Sequence, residues 1–162
     1  MEMSNILEQP NAENTAKAPV GEFDPIDIEQ ALLSIIKKGA RFEKTYSTSG
    51  VSVTFKTITE IEQAALNQRM YEIESIGEKR MQKVTRPDGI SIEQEIFVHP
   101  DKDRLRRNAE LLAFIKAINS DTVINESVLE SYSPLLLDWV AVICLPHFKK
   151  IMLEAMKKLK AF

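Results

Sequence analysis

The chain contains few of the residues that carry catalysis, metal binding or phosphate binding. Its 162 residues include one cysteine, two histidines and five glycines. The glycines do not fall in a GxGxxG or GxxxxGK(S/T) spacing, so the loops that hold nucleotide phosphates in those motifs are missing. Cys144 has no disulfide partner within the chain and lies in an apolar stretch, which indicates a reducing compartment. We therefore expect no cofactor, no metal site and no enzymatic activity.

An excess of charge of one sign is also missing. The formal net charge is −3 and charges of both signs are interspersed, so no overall positive field attracts nucleic acid. No basic segment followed by an apolar run begins the sequence, and we expect no secretory signal peptide. The apolar stretch around Trp139 is too short for a membrane span and contains Asp138. These absences favour a protein that folds in a cytoplasm.

The first 22 residues are polar, with Ile6, Leu7 and Val20 as their main apolar side chains. So few apolar residues cannot offset the entropy lost on ordering, which predicts a flexible N-terminal arm over residues 1–22. Residues 23–162 are long enough for one core, and we expect a single mostly helical domain there.

The first predicted helix has signals at both ends. Asp24 is a suitable N-cap, Pro25 suits the first helical position, and Asp27 lies in the first turn, where a negative charge is favourable. Lys37, Lys38 and Gly39 end the helix. Its apolar stripe consists of Ile28, Ala31, Leu32, Ile35 and Ile36.

A β-hairpin is predicted next, from two extended runs at 41–46 and 51–57. Val51, Val53 and Phe55 alternate with polar residues and would form one apolar face. Thr59 and Glu62 then have the spacing of a capping box, so a helix should begin there and end near Gly77. Its stripe would consist of Ile61, Ala65, Leu66, Met70 and Ile73.

The middle of the chain is less regular. Residues 86–89, with the sequence RPDG, predict a turn, and the spaced apolar residues of 90–98 suggest a short strand or second hairpin arm. A helix should begin at Asp101 or Asp103 and run to Ile118, followed by a short helix over 125–130. With the C-terminal helices, these elements predict an α+β fold that is mostly helical: a small antiparallel β-hairpin packed with four or five helices, and an extended arm.

The C-terminal region contains two adjoining helical segments. Residues 134–145 are apolar on nearly every face, so we expect this segment to be buried. After Pro146 an amphipathic stripe appears, made of Phe148, Ile151, Met152, Ala155, Leu159 and Phe162. Pro146 cannot donate a hydrogen bond to the carbonyl of Val142, so the two segments should either kink or separate.

Three polar groupings have both a functional and a structural interpretation. Cys144 and His147 could share a helical face, but two ligands do not complete a zinc site, and a packed core cysteine is the preferred interpretation. The HPDKD run at 99–103 could hold a cation or simply begin a helix, which we prefer. The arginines at 104, 106 and 107 could contact phosphate, although carboxylates at helical distance favour a salt-bridged surface.

The segment VSVTFKTITEIEQAAL, from Val51 to Leu66, resembles the strand, short Thr-containing turn and acidic helix start of tail-assembly and baseplate-hub proteins of tailed bacteriophages. The likeness continues in a helix such as 104–118, an Asn-containing break and a final helical region with spaced Leu, Trp and Phe residues. It implies a viral protein that either occupies the virion tail or baseplate, or acts as an assembly chaperone on the tail hub or tape measure. It also implies tail or baseplate partners, with self-association as a further option, and assembly in the host cytoplasm.

Such a protein would work through contacts with other polypeptides. The arm could order along neighbouring subunits, the hairpin edge at 51–55 could extend a partner's sheet, and the last helix could enter a groove. The expected partner-binding residues are Ile6, Leu7, Val20, Phe23, Val51, Val53, Phe55, Phe148, Ile151 and Met152. The alternative is a small regulatory protein that binds nucleic acid through Arg104, Arg106, Arg107 and the lysine-rich C-terminus.

Overall fold

A computed structural model describes residues 23–37 and 39–161. The arm at 1–22, with Ile6, Leu7 and Val20, and Phe162 of the C-terminal stripe lie outside the described residues. The chain forms two compact units: unit 1 contains residues 1–58 and 114–162, and unit 2 contains residues 59–113. Each unit is described below by itself, and the single domain expected over residues 23–162 stays a prediction. The α+β class, with helices and small antiparallel sheets, is confirmed.

Unit 1 combines a sheet with a helical layer. Its helices are α1 (Pro25–Ile36), α4 (Glu126–Glu130), α5 (Pro134–Trp139) and α6 (Leu145–Lys160), and its strands are β1 (Glu43–Thr48), β2 (Val51–Lys56) and β5 (Ile115–Ile118). The predicted first helix is confirmed, because the Asp24 side chain accepts a hydrogen bond from Ile26 N and the last helical residue is Ile36. Ile36 itself is exposed, so the apolar stripe is narrower than expected.

The sheet of unit 1 has the order β1–β2–β5, with both pairings antiparallel. The predicted hairpin is confirmed. The expectation that residues 115–118 continue a helix is wrong, because they form strand β5. Ile115 and Ile118 are three residues apart, yet both are buried, opposite Phe55 and Val53 of β2, because the register shifts at a bulge between Thr54 and Phe55. At the strand end, Asn119 Oδ1 accepts from Ser52 N, 2.8 Å away. Tertiary pairing thus overrides a helical pattern in this segment.

The core of unit 1 is centred on aromatic rings. The Phe148 side chain of α6 is fully buried and lies 5.5 Å from the Phe42 ring and 5.6 Å from the Phe55 ring, measured between centroids. Phe114 approaches the same ring at 6.4 Å. Helix α1 also packs against α6. Helix α6 therefore contacts both the aromatic core at the sheet and helix α1.

The C-terminal segments form one continuous helical path. A π-helical turn (Val140–Cys144) joins α5 to α6, and Leu145 N donates to Val140 O, five residues earlier. Because Pro146 has no N–H, the usual bond to Val142 O cannot form, and a wider turn at this place accommodates its absence. The two segments therefore do not separate at Pro146.

Unit 2 contains α2 (Glu60–Glu74), β3 (Glu78–Thr85), β4 (Ser91–Val98) and all but the last residue of α3 (Lys102–Phe114). The capping box is confirmed: Thr59 Oγ1 accepts from Glu62 N, and Glu62 Oε1 accepts from Thr59 N. Ile61 and Ala65 of the expected stripe are exposed, whereas Leu66 and Ile73 are buried. The helix predicted to reach Ile118 ends at Phe114, which is the second correction.

Strands β3 and β4 form a separate two-stranded antiparallel sheet, in register from Glu78 opposite Val98 to Thr85 opposite Ser91. Strand β4 and the turn before it agree with the sequence prediction. Strand β3 was missed. Across residues 23–37 and 39–161, no helix has the length and apolar character required to cross a membrane.

Candidate interaction surface

The β3–β4 hairpin has two chemically different faces. Paired residues of an antiparallel ladder share a face, and successive pairs alternate between faces. One face carries Val84, Ile92, Ile96 and Val98, together with Arg80, Glu78 and the Gln82–Gln94 pair, and we call it the apolar hairpin face. The other carries Met81, Phe97 and the charged residues Lys79, Lys83, Glu93 and Glu95. The hairpin is thus amphipathic, as expected of a sheet with one covered side.

Among the described residues, that cover is incomplete. Ile92 is 43% exposed and Val98 38%, while Val84 and Ile96 are half-buried. No residue of β3 or β4 is fully buried, although each strand has eight residues. A two-stranded sheet without a covered face is only marginally stable in water. Exposed, clustered β-branched side chains are typical of a surface that binds another molecule.

The base of the hairpin is held firmly despite this exposure. The Lys102 side chain is buried, and its ammonium donates to Phe97 O in β4 and to Glu74 O at the end of α2, the latter 2.9 Å away. Arg106 Nε donates to Glu74 Oε2 over 2.7 Å. A buried ammonium is costly unless carbonyls or carboxylates surround it, and Lys102 has this arrangement. The hairpin is therefore fixed at its root.

Gly77, which lies between α2 and β3, is the second residue that shapes the root of the hairpin. Its φ is +111°, and a Cβ atom built there would lie 2.2 Å from Val98 O. Glycine alone permits both the backbone conformation and this close approach. The root of the hairpin therefore depends on one glycine and one buried lysine.

Unit 1 has a second exposed apolar area, around the π-helical turn. Leu135 is 80% exposed and Val142 65%, and Ile143 is also exposed. The expectation that residues 134–145 are buried is therefore wrong for these three side chains, whereas Leu137, Val140, Cys144 and Leu145 are buried. The segment is apolar on nearly every face, but the core of unit 1 covers only one side of it.

Seven of the partner-binding residues expected from the sequence lie among the described residues, and four of these seven are core residues of unit 1. Fully buried are Val53, Phe55, Phe148 and Ile151, and half-buried are Phe23, Val51 and Met152. The Phe23 ring lies 5.1 Å from the His147 ring. The expectation of a free strand edge at 51–55 is wrong, because β2 is paired on both sides. Alternation predicted the strand correctly, but it could not identify which strand would be central.

A polar cluster lies inside unit 1 beside this core. The Tyr46 hydroxyl is 2.6 Å from His147 Nδ1, and Lys44 Nζ forms an ion pair with Asp27 over 2.8 Å. Burial, the positive charge of Lys44 and, to a smaller extent, that of Lys150 lower the pKa of His147, while Asp27 opposes them. A neutral imidazole lets the hydroxyl donate to Nδ1, so the pair is satisfied as a structural contact.

Cys144 is buried beside this cluster. Burial raises the pKa of the thiol, and burial also raises the pKa of Tyr46, with smaller effects from Cys144 and Asp27. Both groups therefore stay protonated at neutral pH, and a protonated thiol is a poor nucleophile. This arrangement resembles a packed core more than an active site.

The other polar groupings also have local explanations. His99 Nδ1 accepts from Asp101 N, and within the described residues no group of three or more His, Cys, Asp or Glu side chains could hold a metal ion. Arg104 pairs with Asp101, and Arg106 pairs with both Asp103 and Glu74. These contacts agree with the salt-bridged surface predicted for α3.

Sequence reasoning missed the first strand of the hairpin. The run EKRMQKVT in β3 has no apolar alternation, because only Met81 and Val84 are apolar. The available signal was the RPDG turn followed by period-two spacing of Ile96 and Val98, since a turn followed by a strand requires a partner before the turn.

Comparisons of the chain with protein-family models, with curated proteins and with solved structures found no match.

Proposed function

We propose that this chain is a non-enzymatic component of a bacteriophage tail or baseplate, or a chaperone of tail assembly, and that it acts through protein–protein contacts. The viral context rests on the resemblance of residues 51–66 and of the later helical segments. The mode of action is supported by one observation above all, the exposed apolar hairpin face on a rigidly anchored hairpin.

Exposure of the apolar hairpin face to water makes the free hairpin less stable than it would be with this face covered. Burial of apolar surface stabilises by roughly 25 cal/mol per Å², so a sheet that leaves its apolar face in water forgoes its main source of stability. That stabilisation is available when a partner covers Val84, Ile92, Ile96 and Val98. Anchoring at Lys102 and Gly77 holds the face in place beforehand, which reduces the entropy lost on binding.

Removing the apolar character of this face without unfolding the hairpin tests the proposal. Val84→Thr combined with Ile92→Thr keeps β-branched side chains, which suit a strand, but replaces apolar groups with hydroxyls. Met81→Thr on the opposite face is the matched control, because Met81 is 61% exposed and lies outside the apolar hairpin face. Each variant would replace the native gene during infection by the phage that encodes it.

Particle counts by electron microscopy and mass spectrometry of purified particles are the measurements. We expect the double variant to reduce the number of complete tails by about tenfold or more, because a partner no longer gains apolar contacts with this face, and the control to match the wild type. Presence of the chain in wild-type particles would identify a structural component, and absence would identify a chaperone. Normal tails in the double variant would refute the proposed role of this face.

The alternative function is nucleic-acid binding by the last helix. The side chains of Lys149, Lys150, Lys157, Lys158 and Lys160 are exposed on α6, and Lys157 pairs with Glu154 over 3.3 Å. Binding through such lysines would weaken steeply as salt concentration rises, because each neutralised phosphate releases counterions. A gel-shift titration with DNA and RNA at low salt would test it, and no shift would eliminate this alternative.

A further inference from the structure

Each outer edge of the hairpin carries backbone groups that no other strand of the described residues pairs with. Arg86 N donates to Ile90 O over 2.8 Å, and this bond determines which residues point inward, because the pattern alternates along an antiparallel ladder. The backbone groups of Lys79, Met81, Lys83 and Thr85 on β3, and of Ser91, Glu93, Glu95 and Phe97 on β4, therefore point outward. Among the described residues, no other strand pairs with either edge. Within the part of the chain that the structure describes, Phe97 O accepts from the Lys102 ammonium.

The two edges carry opposite charge. Strand β3 contains Lys79, Arg80 and Lys83 with one carboxylate, Glu78, whereas β4 contains Glu93 and Glu95 and no cation. Lys79 and Glu95 already attract each other across the hairpin, with Nζ and Oε2 separated by 2.9 Å. The same attraction is available between a β3 edge and the β4 edge of a different molecule.

Charge distinguishes the ways in which two hairpins can join. Pairing β3 with β3 brings lysines and arginines together, and pairing β4 with β4 brings glutamates together. Like charges opposite each other destabilise a sheet, while opposite charges stabilise it. Pairing β3 with β4 is the only edge-to-edge combination that is attractive in charge and antiparallel in the same sense as the hairpin itself.

We propose that copies of this chain associate by adding the β3 edge of one molecule to the β4 edge of the next. In the register that repeats the hairpin's own, Glu93 lies opposite Lys83 of the neighbouring copy. The contact joins two different surfaces, so every copy keeps one edge of each kind available. Association of this type continues to a ring or a filament and does not stop at a dimer.

This geometry also extends the apolar hairpin face. Because residues paired across strands share a face, Val84, Ile92, Ile96 and Val98 of successive copies lie on the same side of the joined sheet. The inference deepens the proposed function by naming one partner as a second copy of the chain. A chain that remains monomeric would refute self-association, while its incorporation into particles would still be decided by the infection experiment.

Charge reversal of one edge at a time tests the proposal. The variant Lys79→Glu with Lys83→Glu has two negative edges, and the variant Glu93→Lys with Glu95→Lys has two positive edges. Sedimentation velocity of the full chain, measured over a wide concentration range, would report the size of the assemblies. We expect the wild type to form assemblies larger than a dimer. Either variant alone should need a concentration on the order of tenfold higher than the wild type before it associates.

Mixing the two variants is the decisive step. An equimolar mixture restores opposite charges at every contact, so we expect it to associate at close to the wild-type concentration. A wild-type monomer at all concentrations, a species that stops at a dimer, or a mixture that does not associate would each overturn the proposal. Protection of the outward β3 amides from hydrogen exchange in a monomer would assign the edge to another segment of the same chain, and would also overturn it.

A proline variant separates edge blocking from loss of the hairpin. Glu93→Pro removes an outward N–H that the hairpin does not use, and proline is tolerated at such edge positions. We expect this variant alone to remain monomeric and to shorten wild-type assemblies when added in small amounts, because its intact β3 edge still joins one neighbour. Hydrogen exchange over residues 78–98 verifies that the hairpin of each variant is folded. Wild-type-like association of the folded proline variant would contradict β4-edge pairing.

Discussion

The two sheets of this protein are built from the same type of antiparallel ladder, yet they differ in burial. In the unit 1 sheet, β2 lies between β1 and β5, and its Val53 and Phe55 side chains are fully buried. In the unit 2 sheet, each strand is an edge strand and none of its residues is fully buried. Alternation of apolar residues therefore indicates a strand, whereas a covering layer determines whether the apolar side chains of that strand are buried in a core.

The means of stabilisation differ accordingly. The unit 1 sheet is stabilised by aromatic packing against α6, which removes apolar area from water. The described contacts that hold the unit 2 sheet are concentrated at its root, in Gly77, Lys102 and the Glu74–Arg106 pair. We therefore expect core truncation to damage unit 1 most and backbone or anchoring changes to damage unit 2 most.

The largest effect should come from Phe148→Ala. Truncation of a fully buried phenylalanine in contact with Phe42 and Phe55 leaves a cavity and should lower the free energy of unfolding of unit 1 by about 4 kcal/mol. Urea unfolding followed by Trp139 fluorescence measures this, since Trp139 is the only tryptophan and lies in unit 1.

Leu153→Ala is the control for this prediction. Leu153 lies on the same helix but is 53% exposed, so its truncation should change the free energy of unfolding by only about 0.5 kcal/mol. Equal losses from the two variants would contradict the assignment of the Phe148 face as the core.

The next largest effect should come from Gly77→Ala in unit 2. The added Cβ would overlap Val98 O, and φ at this position is unfavourable for alanine, so the hairpin should lose about 3 kcal/mol against local opening. Amide hydrogen exchange over residues 78–98 measures that opening directly.

Gly89→Ala separates the two causes of this loss. Gly89 also has a positive φ, +88°, but a Cβ there would meet no atom within 4 Å. Backbone strain alone should therefore cost about 1 kcal/mol at Gly89. If both substitutions had the same effect, close approach to Val98 would not be the reason for glycine at position 77.

The smallest effect should appear as a pH dependence confined to unit 1. The pKa of His147 is lowered in the folded chain from its ordinary value of 6.5, so the unfolded chain binds the proton more readily. The stability contribution is fully present above pH 6.5 and decreases as the pH falls from there through the lowered folded pKa. Protonation also removes the acceptor that Nδ1 offers to the Tyr46 hydroxyl.

His147→Asn is the variant that tests this assignment. Its amide oxygen can accept from Tyr46 but does not titrate, so the fluorescence-detected stability should become less dependent on pH below the ordinary histidine pKa of about 6.5. An unchanged slope in the variant would assign the acid sensitivity to other groups.

Local signals in the sequence were sufficient for much of the fold. The caps Asp24 and Thr59 placed the starts of α1 and α2 correctly, because capping depends on side chains within three residues of the helix start. The turn at 49–50 and the alternation of β2 placed the first hairpin for the same reason. The helical pattern of Ile115–Ile118 failed, because a helix and a strand can bury the same two isoleucines and only pairing with β2 favours the strand.

The candidate surface was the part least accessible from sequence. Apolar residues were expected to mark the binding face, but Phe55 and Phe148 are covered by their own unit, while Ile92 and Val142 are not. Neither Lys102 nor Gly77 stood out, since the role of each depends on a neighbour distant in sequence: Glu74 for the lysine and Val98 for the glycine.

The sequence by itself determined where helices begin, where chains turn and which residues are apolar, because these properties arise from short-range backbone and side-chain chemistry. Only the tertiary structure decided which strand lies at the centre of a sheet, which apolar face stays uncovered, and which lysine is buried. Those outcomes depend on which segments meet in space, and that is a property of the whole chain.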